Sequence, residues 1–167
     1  MFTGKPLFSR QERMMKMKKF LVLFFSLSAI AVFAVDMSRF RPPAHEIKDY
    51  EQIRDHRGML IGTARKMGNR VTDRDNHGNL IGTAVVDGTR VTYRDNHGSL
   101  VGSSHTSGSR TTYRDNHGSL VGSSHESGSR ITYRDNHGRR VGSSQQSGSR
   151  VTYRDGKGRI SGSSSRR

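Results

Sequence analysis

Arginines recur at fixed spacing along this chain. Arg90 and Arg94 stand four apart, and the pair returns as Arg110/Arg114, Arg130/Arg134 and Arg150/Arg154. On an extended strand, an even spacing puts both members on one face. A sheet built from these segments would carry a basic stripe. Such a stripe suits a polyanion: lipopolysaccharide phosphate, acidic polysaccharide or nucleic acid. A second reading is a solvated charged face that keeps a sheet soluble and blocks edge pairing.

Histidines also repeat. His77, His97, His117 and His137 occupy the same position, two residues after an aspartate, and His105 and His125 form a second set. His with Asp can hold Zn or Ni. No His-x₃-His or cysteine spacing fixes a metal site within a unit, so these read as solvated turn residues and no metal or cofactor is expected. Their joint protonation below about pH 6.5 would add positive charge. Nucleophile elbows, P-loops, H-E-x-x-H and dinucleotide turns are absent from the sequence. Every candidate acid, base or nucleophile is repeated, whereas a catalytic site is singular, so an enzyme is not expected. The chain has no cysteine, which excludes disulfides and thiolate chemistry.

These residues sit on a 20-residue period running from Tyr50 to the end. The clearest units are Arg90–Ser109, Arg110–Ser129 and Arg130–Ser149, with looser copies at Arg70–Thr89 and Tyr50–Asn69 and a short last one at Arg150–Arg167. Each of the six units reads as two strands and two turns. Val91 and Tyr93 alternate with Arg90, Thr92 and Arg94. Asp95-Asn96-His97-Gly98 fits a type I turn with a left-handed glycine bulge, and Ser107-Gly108-Ser109 makes the return turn. A three-residue loop pairs Asp95 with Ser99, and then Tyr93 with Val101 and Val91 with Ser103. A two-residue loop would instead pair Tyr93 with Gly102. The first register gathers Val91, Tyr93 and Val101 on one face and leaves Leu100 among the arginines.

Three arrangements follow for residues 50–167. The expected one is an all-β meander, six hairpins side by side in one antiparallel sheet. In a β-solenoid, Arg94, Arg114, Arg134 and Arg154 would stack roughly 4.8 Å apart, an unfavourable crowding of like charge. In a meander they stand roughly 10 Å apart and are screened. The third is disorder, since Gly and Ser dominate and few apolar residues are available to offset ordering entropy.

The net charge is +15 and 31% of residues are apolar. The apolar residues are unevenly placed. Met17-Lys18-Lys19 precedes an apolar run from Phe20 to Ala34, with Val32 and Ala34 placed for cleavage after Ala34. This describes a secretory signal peptide over residues 1–34, a helix too short for a comfortable membrane span. No stable transmembrane span is expected after cleavage. Translation is expected to start at Met15 or Met17. Residues 35–167 keep 23 Lys/Arg against 13 Asp/Glu, a net +10. Residues 35–49 read as a linker broken by Pro42-Pro43, with a short helix expected over Ala44–Ile53.

The unit Thr152-Tyr153-Arg154-Asp155-Gly156-Lys157-Gly158-Arg159-Ile160, with Gly148 before its strand, resembles the Tyr-Asp (YD, or Rhs-type) repeats of bacterial cell-surface and secreted proteins. The resemblance spans Tyr50–Arg167. The chain departs from that pattern in having Tyr-Arg-Asp rather than adjacent Tyr-Asp. The Gly-Arg step survives only at Gly158-Arg159-Ile160 and in part at Gly138-Arg139-Arg140. The resemblance implies β-repeats outside the cytoplasm, in the periplasm or secreted, and lends no toxin activity.

Together these readings lead to an exported, non-enzymatic bacterial repeat protein presenting a basic β-surface to an envelope or extracellular polyanion. The alternative is a structural or assembly protein whose hairpin edges pair with other copies or with a larger β-repeat partner.

Overall fold

A computed structural model describes residues 50–166; the expected signal peptide and linker lie outside them. The described chain is entirely β. Its twelve strands are β1 (Tyr50–Asp55), β2 (Leu60–Met67), β3 (Arg70–Asp75), β4 (Leu80–Asp87), β5 (Arg90–Asp95), β6 (Leu100–Ser107), β7 (Arg110–Asp115), β8 (Leu120–Ser127), β9 (Arg130–Asp135), β10 (Arg140–Ser147), β11 (Arg150–Asp155) and β12 (Ile160–Arg166). Each repeat is one hairpin of a short and a long strand. The helix expected over Ala44–Ile53 is not formed in its described part: Tyr50 and Ile53 belong to β1. The β-branched Ile53 instead alternates with polar neighbours and fills a strand position.

Up-and-down antiparallel pairing follows the expectation, but the sheet is not an open meander. It closes into a barrel, with β12 paired to β1 from Glu51↔Arg166 to Asp55↔Gly162. Register explains the closure. Val91 lies opposite Ser104, which lies opposite Tyr113 of the next unit. Thr111 is the equivalent of Val91 there, so the row has advanced two residues. The seam advances identically, through Val151, Ser164 and Ile53. Two residues over six units give a shear equal to the strand number, with strands tilted roughly 35–45°. β1 therefore meets β12 as β11 meets β10. Both edges are consumed, and every backbone ladder has a partner.

The turns form as their residues dictate. Asp95 N–H donates to the Ser99 carbonyl and Gly98 N–H to the Asp95 carbonyl, both near 3 Å. Gly98 adopts φ of 85°, a conformation open to glycine. So Asp95 and Ser99 do pair. Beyond them the expected register fails: Arg94 faces Leu100, but Tyr93 faces Gly102 and Val91 faces Ser104, not Ser103. Val101 is the extra residue of a β-bulge, which kinks and twists the strand. It still leans on the core beside Tyr93. A one-residue slip exchanges the two faces of everything that follows. Ser104 therefore points inward, while Ser103 and His105 turn outward to join the arginines.

The interior is built from columns. Tyr93, Tyr113, Tyr133 and Tyr153 are fully buried. Tyr93 clusters with Ile53, Ala64, Val71, Ala84 and Val91, and the other three form a second cluster with Val121, Ile131, Val141 and Val151 packed against it. Each tyrosine hydroxyl meets a serine of its own hairpin at 3.0–3.1 Å: Ser104, Ser124, Ser144 and Ser164. In the first unit the same two positions are Ile53 and Ala64, so phenol and serine are lost together. Two carboxylates also face inward, Glu51 and Asp73, on either side of Ala64. Burial pushes the Glu51 carboxyl above its ordinary range, against the pull of the Ser164 hydroxyl and the Arg166 charge.

Candidate anion-binding outer wall

Alternation on the short strands points Arg90, Thr92 and Arg94 away from the core formed by Val91 and Tyr93. The same holds in every unit. Arg90, Arg94, Arg110, Arg114, Arg130, Arg134 and Arg150 are exposed, and Arg154 is half-buried. Barrel closure arranges them as two belts, one at each end of the short strands. Within a belt, equivalent residues are two strands apart, roughly 12 Å once the tilt is included. That spacing removes the crowding a solenoid would impose.

The two belts differ. Arg94 Nη1 donates to the Gly98 carbonyl of its own turn at 2.8 Å, and Arg54, Arg74, Arg114, Arg134 and Arg154 do the same at 2.7–3.0 Å. One arm of this belt therefore fastens a turn, a role the spacing alone did not reveal. The turn aspartates complete the fastening. Asp95 Oδ1 accepts from the His97 and Ser99 amides at 2.9 and 2.8 Å. In the last two hairpins an arginine folds back as well: Arg139 Nε and Arg159 Nε reach Asp135 and Asp155 at 2.9 Å. Arg139 is 76% exposed while the Asp135 side chain beneath it is 1% exposed. Desolvation pushes the Asp135 carboxyl up, but the Arg139 amide and guanidinium and the His137 amide outweigh it and hold the carboxyl below its usual range. The turn histidines contribute backbone amides and leave exposed rings. Among the described residues, no group of three or more His, Asp or Glu gathers to hold a metal ion.

The Arg90 belt faces a depression. Arg90 on β5 and Arg114 on β7 flank β6, and between them lie Ser103, Ser104, His105 and Thr112 around a space of about 260 Å³. The register explains the grouping: Arg90↔His105↔Thr112 is one outward row and Ser103↔Arg114 the next. Sequence reasoning missed Ser103 and His105 here because the bulge reverses β6, whereas Thr112 on β7 keeps the outward face that alternation assigns to its position. The available signal was the glycine at position 102 of every unit, since a strand glycine marks a bulge or a close backbone approach.

The wall is unlike a lipid-facing one. Its strands have six to eight residues, against roughly 9–11 for a membrane-spanning strand. Its exposed Leu80, Leu100 and Leu120 are each paired with an arginine, so no continuous apolar band forms. Among the described residues, no helix is long and apolar enough to cross a membrane. No protein-family model, curated protein or solved structure matches this chain.

Proposed function

We propose that this chain is an exported, non-enzymatic bacterial repeat protein whose outer barrel wall binds polyanions of the envelope or extracellular space. The observation carrying this reading is the pair of outward arginine belts, wrapped around a barrel whose tyrosines are turned in. Spaced guanidiniums with solvated heads attract an anionic polymer without shape complementarity and release its counterions on binding. The apolar leader and the resemblance of the units to Tyr-Asp repeats of bacterial surface proteins support the exported setting. The alternative, assembly through free hairpin edges, would need the barrel to open at the β1/β12 seam.

The belts separate in a retention experiment on an anionic column. Arg→Ser at Arg90, Arg110, Arg130 and Arg150 is expected to lower the eluting salt concentration with little change in urea midpoint. Arg→Ser at Arg94, Arg114, Arg134 and Arg154 is expected to lower both, because each also removes a turn hydrogen bond of about 0.5–1.5 kcal/mol. Retention that ignores salt, or an eluting salt concentration unchanged by loss of the first set, contradicts the proposal.

A further inference from the structure

The depression over β6 has a feature that general basicity does not require. His105 stands between Arg90 and Thr112, and its Nδ1 lies 3.4 Å from the Thr89 hydroxyl. This contact orients the ring and leaves Nε2 as the nitrogen available to a ligand. The next unit repeats the set: His125 pairs with Arg110 and Thr132, Ser123 pairs with Arg134, and His125 Nδ1 lies 3.3 Å from the Ser109 hydroxyl. Elsewhere the same column holds Arg65, Val85, Gln145 and Ser165, so the imidazole occurs in two adjacent units only.

We infer that the groove over β6 and its counterpart over β8 are a pair of proton-gated sites for the sulfate or phosphate ester groups of an acidic glycan. The inference rests on the polyanion reading and names its ligand and its regulation. Two guanidiniums, two hydroxyls and an imidazole surround a space suited to a small tetrahedral anion and too small for a drug-sized ligand. A protonated imidazole is a cation whose two ring nitrogens both donate. The groups facing His105 are Arg90, Arg114, Thr89 and Thr112, with Asp87 beside Arg90 on β4. Those facing His125 are Arg110, Arg134, Ser109 and Thr132. Protonation thus adds a third cation to each site. A glycan is favoured over nucleic acid on two grounds. The tyrosines are all in the core or outside these grooves, so no aromatic face is offered to bases. The sites repeat at roughly 12 Å, far sparser than nucleic-acid charges at about 3.4 Å per strand.

The test is binding of dextran sulfate to the full chain at pH 8 and pH 5.5 in constant low salt. The wild type is expected to bind about fivefold more tightly at pH 5.5 for each histidine engaged. H105Q/H125Q is expected to lose the step between the two pH values. Glutamine already fills this column at Gln145, where Nε2 reaches the Ser129 hydroxyl at 2.6 Å, so the variant should fold. The turn variant H97N/H117N is expected to keep the step. Equal affinity at both pH values, a step surviving H105Q/H125Q, or a step lost in the turn variant overturns the inference and leaves polyanion binding standing. Tighter binding of single-stranded DNA of equal charge, with the same step, overturns the choice of glycan. No dextran sulfate binding at either pH overturns both.

Discussion

Tyr113→Ala is expected to cost the barrel about 3–5 kcal/mol, the range for removing a buried aromatic side chain. Folded domains of this size hold only about 5–15 kcal/mol in total, so the loss would show as a large fall in urea midpoint. The cost has two sources. The ring is fully buried within a column of tyrosines, and its hydroxyl meets Ser124 Oγ at 3.0 Å. Tyr113→Phe isolates the second, leaving the serine unsatisfied at about 1–3 kcal/mol. Adding Ser124→Ala should recover most of that loss, because a pair of apolar groups carries no desolvation debt. The first unit already makes this exchange with Ile53 and Ala64. A loss below about 1 kcal/mol for Tyr113→Ala would mean that the column is not a core.

Gly102→Ala is the second large effect. A Cβ there would run into the backbone carbonyl oxygen of Arg114 on the next hairpin, and at Gly162 it would come within 2.6 Å of the Arg54 carbonyl oxygen. Neither obstacle is the flexible end of a side chain, so the strands must part. The expected cost is about 1–3 kcal/mol for either substitution. Gly98→Ala provides the contrast: nothing lies within 4 Å of its Cβ position, and its cost comes only from φ of 85°, about 1 kcal/mol. Equal losses at Gly102 and Gly162 are informative together, since the first lies inside the sheet and the second at the seam. A tolerated Gly162→Ala beside a damaging Gly102→Ala would indicate a loose seam.

The strands, both turns and the direction of the arginines were legible in the sequence because each rests on local chemistry. Alternation at Val91 and Tyr93 and the Asp95–Gly98 turn need no knowledge of the rest of the chain. The bulge at Val101 was not legible from alternation. Packing decides it, by seating Gly102 under Tyr93 and sending Ser104 to the phenol. That single residue moved His105 from the core face to the wall, and with it the groove. Closure was invisible for a different reason. It is the sum of a two-residue shift repeated six times, and no single unit displays it. The low apolar content, which left disorder open as an alternative, is sufficient because a closed wall shields its inner columns on every side. Thr111, Ser124 and Ser144 are buried without being apolar, and their hydroxyls are tied into phenol and threonine hydrogen bonds.

The arginine belts encircle the molecule only if the ring is closed within one chain. The direct measurement is a cross-link at the seam. Gln52 on β1 and Ser165 on β12 face each other on the outer wall, with Cα atoms about 5.5 Å apart or less in such pairs, within the range a disulfide spans. The chain has no cysteine of its own. Gln52→Cys with Ser165→Cys therefore offers one possible intramolecular bond. Closure predicts complete oxidation in a monomer at low protein concentration, with a raised urea midpoint and unchanged retention on an anionic column. Cysteines that stay reduced, or that link only between chains, would contradict the closed barrel.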